Sequence, residues 1–145
     1  RGACALIGRG RLHRCRLRAD QIDQACRMLD AATPPLSSLE GAEAALPLLA
    51  LGGKGVISVV ANLLPGKTHD MVRLWMEGDI AGSRALQFEL FPLIKALFSE
   101  VNPIPVKTAL CDMGFDCGPL RLPLCEMEDK NREALQKALR VLEDA

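Results

Sequence analysis

The chain has 145 residues, 49% of them hydrophobic, which is the length of one ordinary domain and enough to bury a core. Its 18 basic and 18 acidic side chains cancel, so the net charge gives no reason to expect a nucleic acid, a polyanion or an anionic membrane as partner. Charged residues, glycines or prolines interrupt every apolar stretch before the ~18 residues that a membrane span needs. We therefore expect a soluble protein with no membrane partner.

The N-terminal segment, residues 1–18, departs from this charge balance. It holds six arginines and no carboxylate. Clustered guanidinium groups neutralise phosphates, so one interpretation is a basic arm that binds nucleic acid. However, the segment has no aromatic side chains, and runs of charge more often serve solubility. The interpretation we favour is a disordered or degenerate tail with no nucleic-acid partner.

The segments that follow predict helices and strands in turn. Residues 21–29 have a helical pattern, and residues 33–39 are typical of a turn that leads into a short strand. A short helix is expected over residues 43–51, stopped by the glycine pair that follows it. The β-branched run VISVV at residues 56–60 then predicts a strand that is buried on both faces.

Two helices are predicted after this strand. Met71 and Trp75 share one face of a helix that ends near Gly78. Residues 79–99 predict a long helix that is kinked at its internal proline, Pro92. The apolar stripe of this second helix consists of Leu86, Leu90, Leu93, Ile94 and Leu97.

The C-terminal part of the chain predicts two more helices. Asn102 can cap free amides and Pro103 suits the first helical position, so a helix is expected to begin there and to stop at Gly114. Residues 129–142 place leucines at helical spacing, and Asp129 suits the positive N-terminal end of such a helix.

The six cysteines show no metal-binding pattern. None belongs to a Cys-x-x-Cys pair and no histidine stands at zinc-ligand spacing, so we expect no metal site. We expect no cofactor either. Because the N-terminus carries no secretory signal, the expected state is reduced thiols in a cytoplasmic protein. The positions are Cys4, Cys15, Cys26, Cys111, Cys117 and Cys125.

Residues 61–68, ANLLPGKT, end like a nucleotide-binding loop. Such a loop needs glycines, so that successive amides can surround the phosphates, and then a lysine and a hydroxyl residue. Here Ala61 stands at the first glycine position, and Pro65 has no amide to donate. We therefore interpret the segment as a strand-to-helix turn with a solvated Lys67.

The order of these elements predicts an α/β fold with parallel strand pairing, because helices separate one firm strand and two weaker candidates. Three strands would leave unpaired edges and an open face, which indicates that part of a larger architecture is missing. Exposed edges of this kind favour association with a second copy of the chain or with another protein.

Five stretches together resemble the dihydrodipicolinate synthases, the 4-hydroxy-tetrahydrodipicolinate synthase branch of the class I pyruvate-dependent aldolases. They follow the family's order and spacing over roughly residues 20–145. NPIPVK followed by LRLPL is more typical of the synthases than of sialic acid lyases. The stretches are GGKGVISVVAN (52–62), the turn at Pro65, FPLIKALFSE (91–100), NPIPVK (102–107) and LRLPL (120–124).

The resemblance implies a partial TIM (β/α)8 barrel followed by a helical C-terminal extension. A complete barrel takes about 250 residues, so this chain has room for only the last two or three strand-helix units. The implied division is the arginine-rich segment at residues 1–18, barrel residues 19–100 and the extension at residues 101–145. We accordingly expect a C-terminal fragment in which the first half of the barrel is absent.

The family's chemistry condenses pyruvate with aspartate semialdehyde in lysine biosynthesis. A buried, neutral lysine attacks the ketone to form a Schiff base, which becomes an enamine and adds to the aldehyde, while a nearby phenol moves protons. The resemblance places His13 at the position of that lysine, and the chain contains no tyrosine. Imidazole forms no stable Schiff base, so the resemblance implies a lyase-family chain that is inactive on its own.

Part of the pyruvate pocket is implied to survive. Ile57 corresponds to a residue that presents its backbone to the keto acid, although core packing would explain a β-branched residue there equally well. Gly41 corresponds to the glycine of the family's Ser-Gly-Asp segment after a shift of one residue, and Glu40 stands there without the shift. Two alternatives stay open, a related aldolase such as N-acetylneuraminate lyase and a non-catalytic domain that packs against another chain.

Overall fold

A computed structural model of the chain describes residues 39–40 and 44–143. The chain divides into two compact units, Arg1–Ile57 and Ser58–Ala145. The helix predicted at residues 21–29 and most of the turn predicted at residues 33–39 lie outside the described residues. The predicted boundaries after residues 18 and 100 stay predictions.

The first unit contains a parallel pair of short strands. Strand β1 (Leu39–Glu40) pairs with β2 (Val56–Ile57), with Leu39 opposite Val56 and Glu40 opposite Ile57. Between them in sequence lies helix α1 (Ala45–Ala50), which confirms the short helix predicted there. The helix ends in a glycine turn in which Gly52 has a φ of 97° and the Gly53 N–H donates to the Leu48 carbonyl at 3.0 Å.

The strand predicted over residues 56–60 is wrong in length and in burial. It ends at Ile57, which is 40% exposed, and Val56 is only half-buried. The physical reason lies in Ser58, whose hydroxyl accepts the Val60 N–H at 3.1 Å and turns the chain away from a strand path. Val60 is fully buried, but it opens a 3₁₀ turn over Val60–Asn62.

The second unit is helical, and its first two α-helices are neighbours in sequence, α2 (Pro65–Glu77) and α3 (Ile80–Leu97). Gly78 stands between them with a φ of 91°, which confirms the predicted helix end. The Asp79 carboxylate accepts the Gly82 N–H at 2.9 Å and so caps α3.

Helix α3 is the centre of this unit, because it packs against α2 and against the last helix of the chain. It runs through Pro92, and the kink predicted there stays a prediction. Most of its predicted apolar stripe is buried, namely Leu90, Leu93, Ile94 and Leu97.

Helix α4 (Ile104–Asp112) begins later than predicted. Pro103 lies before its first turn, and the side chain of Asn102 does not cap it. The reason is that the preceding turn already supplies partners, since the Val101 carbonyl accepts the Ile104 N–H at 2.9 Å. At the other end Gly114 has a φ of 91°, so the predicted stop is confirmed.

The final helix, α5 (Asp129–Glu143), confirms the prediction for residues 129–142. Its start is held by Glu100, which follows α3: the carboxylate accepts the Glu128 N–H at 3.0 Å and the Asn131 side-chain amide at 2.8 Å. Its buried face carries Leu135, Leu139 and Leu142. Across the described ranges, no helix combines the length and apolar character that crossing a membrane requires.

Candidate functional site

The candidate keto-acid site lies where the two strands end. Glu40 and Ile57 are paired, and each is the last residue of its strand. Because parallel strands run in the same direction, their carboxyl ends lie at one edge of the sheet. Ile57 therefore ends β2 at that edge. Gly41 and His13, the other two residues singled out from sequence, lie outside the described residues.

The side chain of Ile57 is not packed as a core residue would be. Its exposed fraction is 40%, whereas Leu48 on α1 in the same unit is 2% exposed. Burial among apolar neighbours therefore does not account for Ile57 in the described part of the chain. The arrangement offers a backbone edge with an exposed apolar side chain beside it.

All six lysines of the chain lie within the described residues. Lys54 is exposed in the loop before β2, and the other five are on helices. Lys107 is half-buried, and its ammonium donates to the Pro119 carbonyl at 2.9 Å. The remaining helical lysines are Lys67 on α2, Lys95 on α3, and Lys130 and Lys137 on α5.

Lys67 is part of a polar clasp that joins three helices, so the prediction of a solvated Lys67 is wrong. Its Nζ lies 2.5 Å from Oε1 of Glu89 on α3 and 3.2 Å from the carbonyl oxygen of Leu142 on α5. The Lys67 and Glu89 side chains are 29% and 34% exposed. We call Lys67, Glu89 and the Leu142 carbonyl the α2–α3–α5 clasp.

The same segment shows why ANLLPGKT is not a phosphate loop. Helix α2 already begins at Pro65, so Gly66 lies in its first turn. The Thr68 hydroxyl donates to the Leu64 carbonyl at 2.9 Å, and Lys67 is bound in the clasp. Both side chains that a nucleotide would require are thus engaged within the chain, which supports the strand-to-helix turn interpretation.

A second polar cluster joins α4 to α5. Arg132 Nη2 lies 2.5 Å from Oδ1 of Asp112, and the Gln136 side-chain amide donates to Oδ2 at 2.8 Å. Hydrogen bonding from the Arg132 guanidinium lowers the pKa of the Asp112 carboxyl, and Gln136 lowers it further against the opposing effect of burial. In the described part of the chain, no three His, Cys, Asp or Glu side chains converge as a metal site would need.

Sequence reasoning missed both polar clusters. Lys67 and Glu89 are 22 residues apart, and Arg132 and Asp112 are 20 residues apart. Helical spacing relates only residues three or four positions apart, so no local pattern indicates such pairs. A lysine in the first turn of a helix, where a cation is unfavourable, was the one signal that the sequence offered.

Comparisons with known proteins relate most of the chain to one family. The model of the dihydrodipicolinate synthetase family matches residues 17–142. A 4-hydroxy-tetrahydrodipicolinate synthase from a Thermoanaerobacter species is 58% identical over 94 residues, which are 65% of this chain and 32% of that protein. The protein of the same name from Methanocaldococcus jannaschii is 54% identical over 100 residues, 69% of this chain and 35% of that protein.

Solved structures give the same relationship at the level of the fold. The dihydrodipicolinate synthase of Aquifex aeolicus matches with a TM-score of 0.83 and 34% identity, over 88% of this chain and 44% of that chain. The 4-hydroxy-tetrahydrodipicolinate synthase of Methylacidiphilum fumariolicum SolV matches with a TM-score of 0.84 and 34% identity, over 89% of this chain and 43% of that chain. This chain thus spans about a third of the length of the curated relatives it matches and less than half of these structures.

Proposed function

The chain belongs to the dihydrodipicolinate synthetase family, and we propose on that premise that it is the C-terminal part of a 4-hydroxy-tetrahydrodipicolinate synthase. The complete lyase would condense pyruvate with aspartate semialdehyde through a Schiff base. The observation that carries the proposal is 58% identity to a protein named as that synthase. The relatives' shared name also favours this synthase over an N-acetylneuraminate lyase.

The proposed architecture is the closing part of a β/α barrel followed by a helical extension. Support comes from β1, α1 and β2, because two parallel strands separated by a helix are the repeating unit of such a barrel. In this proposal residues 19–100 belong to the barrel and residues 101–145, with α4 and α5, form the extension. Residues 1–18 stay outside both.

The proposed keto-acid site is the edge at which β1 and β2 end. Active sites of β/α barrels lie at the carboxyl ends of the strands, and Ile57 ends β2. We propose that the Ile57 backbone faces bound pyruvate and that Gly41, which follows β1 in sequence, lets the chain approach the ligand closely. The 40% exposure of Ile57 supports this role over simple core packing.

We propose that the chain can bind pyruvate non-covalently but does not form the Schiff base. Schiff-base formation needs an uncharged amine beside the ketone, held away from water. The resemblance places His13 at the lysine position of the family, and the chain has no tyrosine to move protons. Lys67 is held by Glu89, Lys107 donates to Pro119, and the other four lysines are exposed.

Reductive trapping tests this proposal directly. The full chain is incubated with pyruvate and borohydride, and intact-mass and peptide mass spectrometry search for a pyruvate-derived adduct on lysine. The synthase of Methanocaldococcus jannaschii, treated in parallel, is the positive control. We expect an adduct on the control and none on this chain. An adduct on any of its six lysines would contradict the proposed inactivity, and the matching Lys→Met variant would locate it.

Association is a further part of the proposal. The described sheet has two strands, and such an edge presents unpaired N–H and C=O groups to a second chain. We expect the chain to self-associate or to bind another protein through this edge. Sedimentation velocity over a range of concentrations measures this, and a single monomeric species at every concentration would argue against self-association.

A further inference from the structure

Two cysteines, Cys111 and Cys117, lie in the last turn of α4 and in the loop that follows it, and the proposed function assigns no role to either. Cys111 lies in the last turn of α4 and is exposed. Lys107 lies four residues earlier, so the two side chains share one face of the helix. The Lys107 ammonium donates to the Pro119 carbonyl at 2.9 Å, which holds the following loop back against that face.

The loop that carries Cys117 is fixed at both of its ends. At its start the Gly114 N–H donates to the Cys111 carbonyl and the Phe115 N–H to the Leu110 carbonyl, each at 2.9 Å. Gly114 has a φ of 91°, which reverses the chain direction. Near its end the Asp116 carboxylate accepts the Gly118 N–H at 2.9 Å.

These contacts hold the loop that carries Cys117 near the face of α4 that carries Cys111, and the two thiols interact electrostatically. Cys117 is partly exposed. Burial raises the pKa of Cys117, Cys111 raises it further, and the Lys107 ammonium acts in the opposite direction. Both cysteines are free thiols, as is Cys125 in the same loop.

We propose that Cys111 and Cys117 form a reversible modification site that closes to an intramolecular disulfide by exchange with a low-molecular-weight disulfide of the glutathione class. Nothing in the proposed synthase chemistry uses these residues, so the site is independent of it. The pair is separated by only five residues, and the hydrogen bond from Lys107 to the Pro119 carbonyl holds the loop that carries Cys117 against the helix face that carries Cys111.

The reaction takes place in two exchange steps. The Cys111 thiolate, which is exposed, attacks one sulfur of the small disulfide, forms a mixed disulfide and releases one small thiol. Cys117 then loses its proton to solvent and attacks Sγ of Cys111. The protein S–S bond forms as the second small thiol leaves. The protein loses two protons and two electrons, and the small disulfide takes them up to become two thiols.

The disulfide between Cys111 and Cys117 can be measured by mass spectrometry of one tryptic peptide. Trypsin cleavage after Lys107 and Arg121 releases residues 108–121, a peptide that contains Cys111 and Cys117 and no other cysteine. The full chain is equilibrated at fixed ratios of oxidised to reduced glutathione, blocked with N-ethylmaleimide, digested and analysed by mass spectrometry. We expect this peptide to lose two hydrogens and to take up no blocking group.

Two comparisons separate a site built by the fold from chance proximity in a short peptide. The closure constant is the ratio of chains with the internal disulfide to chains with both thiols free at a fixed glutathione ratio. In concentrated urea this constant should be lower by on the order of tenfold, because the unfolded chain no longer holds the loop against α4. Lys107→Met should lower the closure constant several-fold in buffer, while Lys130→Met on α5, an exposed lysine, should leave it unchanged. Because Lys107→Met removes one trypsin site, the peptide measured in that variant is residues 96–121, which contains the same two cysteines and no other.

Three results would overturn the proposal. One is glutathione attached separately to Cys111 and Cys117 with no internal bond. Another is an equal closure constant in buffer and in urea. The third is a loss of closure in Cys125→Ser, since that would make Cys125 the true partner.

Discussion

Lys67 and Glu89 join α2 to α3 across 22 positions of sequence, with Nζ 2.5 Å from Oε1, and the same ammonium reaches the Leu142 carbonyl of α5 at 3.2 Å. The Lys67 ammonium thereby donates hydrogen bonds to a carboxylate on α3 and to a main-chain carbonyl near the end of α5. The side chains are about two-thirds buried, so water screens the pair less than it would a fully exposed one.

Lys67→Met should destabilise the second unit by about 1 kcal/mol, because the substitution leaves Glu89 and the Leu142 carbonyl without this donor. Urea unfolding followed by the fluorescence of Trp75, the chain's single tryptophan, measures the change, since Trp75 lies on α2. Lys95→Met, an exposed position on α3, is the matched control and should shift stability by less than about 0.5 kcal/mol. Equal effects of the two variants would contradict a role for the clasp.

Ser83→Ala tests a buried contact between α2 and α3. The Ser83 hydroxyl is fully buried and donates to the Met71 carbonyl at 2.7 Å. Its removal should lower the free energy of unfolding by about 1 kcal/mol. Ser99→Ala is the control, because the Ser99 hydroxyl donates to the Ala96 carbonyl at the exposed end of α3. This variant should change the free energy of unfolding by less than about 0.5 kcal/mol. The same urea titration measures both, and a Ser83 variant as stable as the wild type would refute the prediction.

Gly78→Ala should lower the free energy of unfolding, whereas Gly66→Ala should leave it unchanged or raise it. Gly78 has a φ of 91°, and an alanine in this left-handed conformation costs about 1 kcal/mol. Gly66 lies in the first turn of α2, and an added Cβ would meet no atom within 4 Å. Alanine there should be neutral or stabilising by up to about 1 kcal/mol, because it restricts the unfolded chain. Thermal and urea unfolding check both values, and a strongly destabilised Gly66 variant would show that the position needs glycine.

Asp112→Asn should reduce stability at neutral pH and lose its effect in acid. The Arg132 guanidinium lowers the pKa of Asp112 in the folded state, so the folded chain binds this proton less readily than the unfolded chain does. The stabilisation that Asp112 contributes is therefore fully present above the ordinary carboxyl pKa near 4. It is lost as the pH falls through the lowered pKa that Asp112 has in the folded chain. Urea unfolding at pH 7 and at several values below 4 measures the difference between variant and wild type. A difference that does not change with pH would contradict the assignment.

Salt should also weaken the contribution of Asp112, because the Arg132 side chain is 49% exposed and the pair is open to screening. Arg132→Gln is the reciprocal variant, and it should abolish most of the pH-dependent difference that Asp112→Asn reveals.

The sequence by itself determined the helices of the second unit. Gly78 and Gly114 marked helix ends because a left-handed residue is required there, and the leucines of α3 and α5 recur at the spacing that buries one helix face. Each of these patterns depends only on residues that lie close together in the sequence. The stretches from GGKGVISVVAN to LRLPL likewise indicated the family that the comparisons confirm.

Only the structure showed where the strand ends, and only the tertiary packing decided which polar groups meet. VISVV is as β-branched at Val60 as at Val56, yet Ser58 bonds the Val60 amide and the chain leaves the sheet after Ile57. The pairing of Lys67 with Glu89 depends on how two helices pack, and no spacing within either helix encodes it. Local conformation follows from neighbouring residues, whereas contacts between distant residues follow from the balance of burial and desolvation over the whole folded unit.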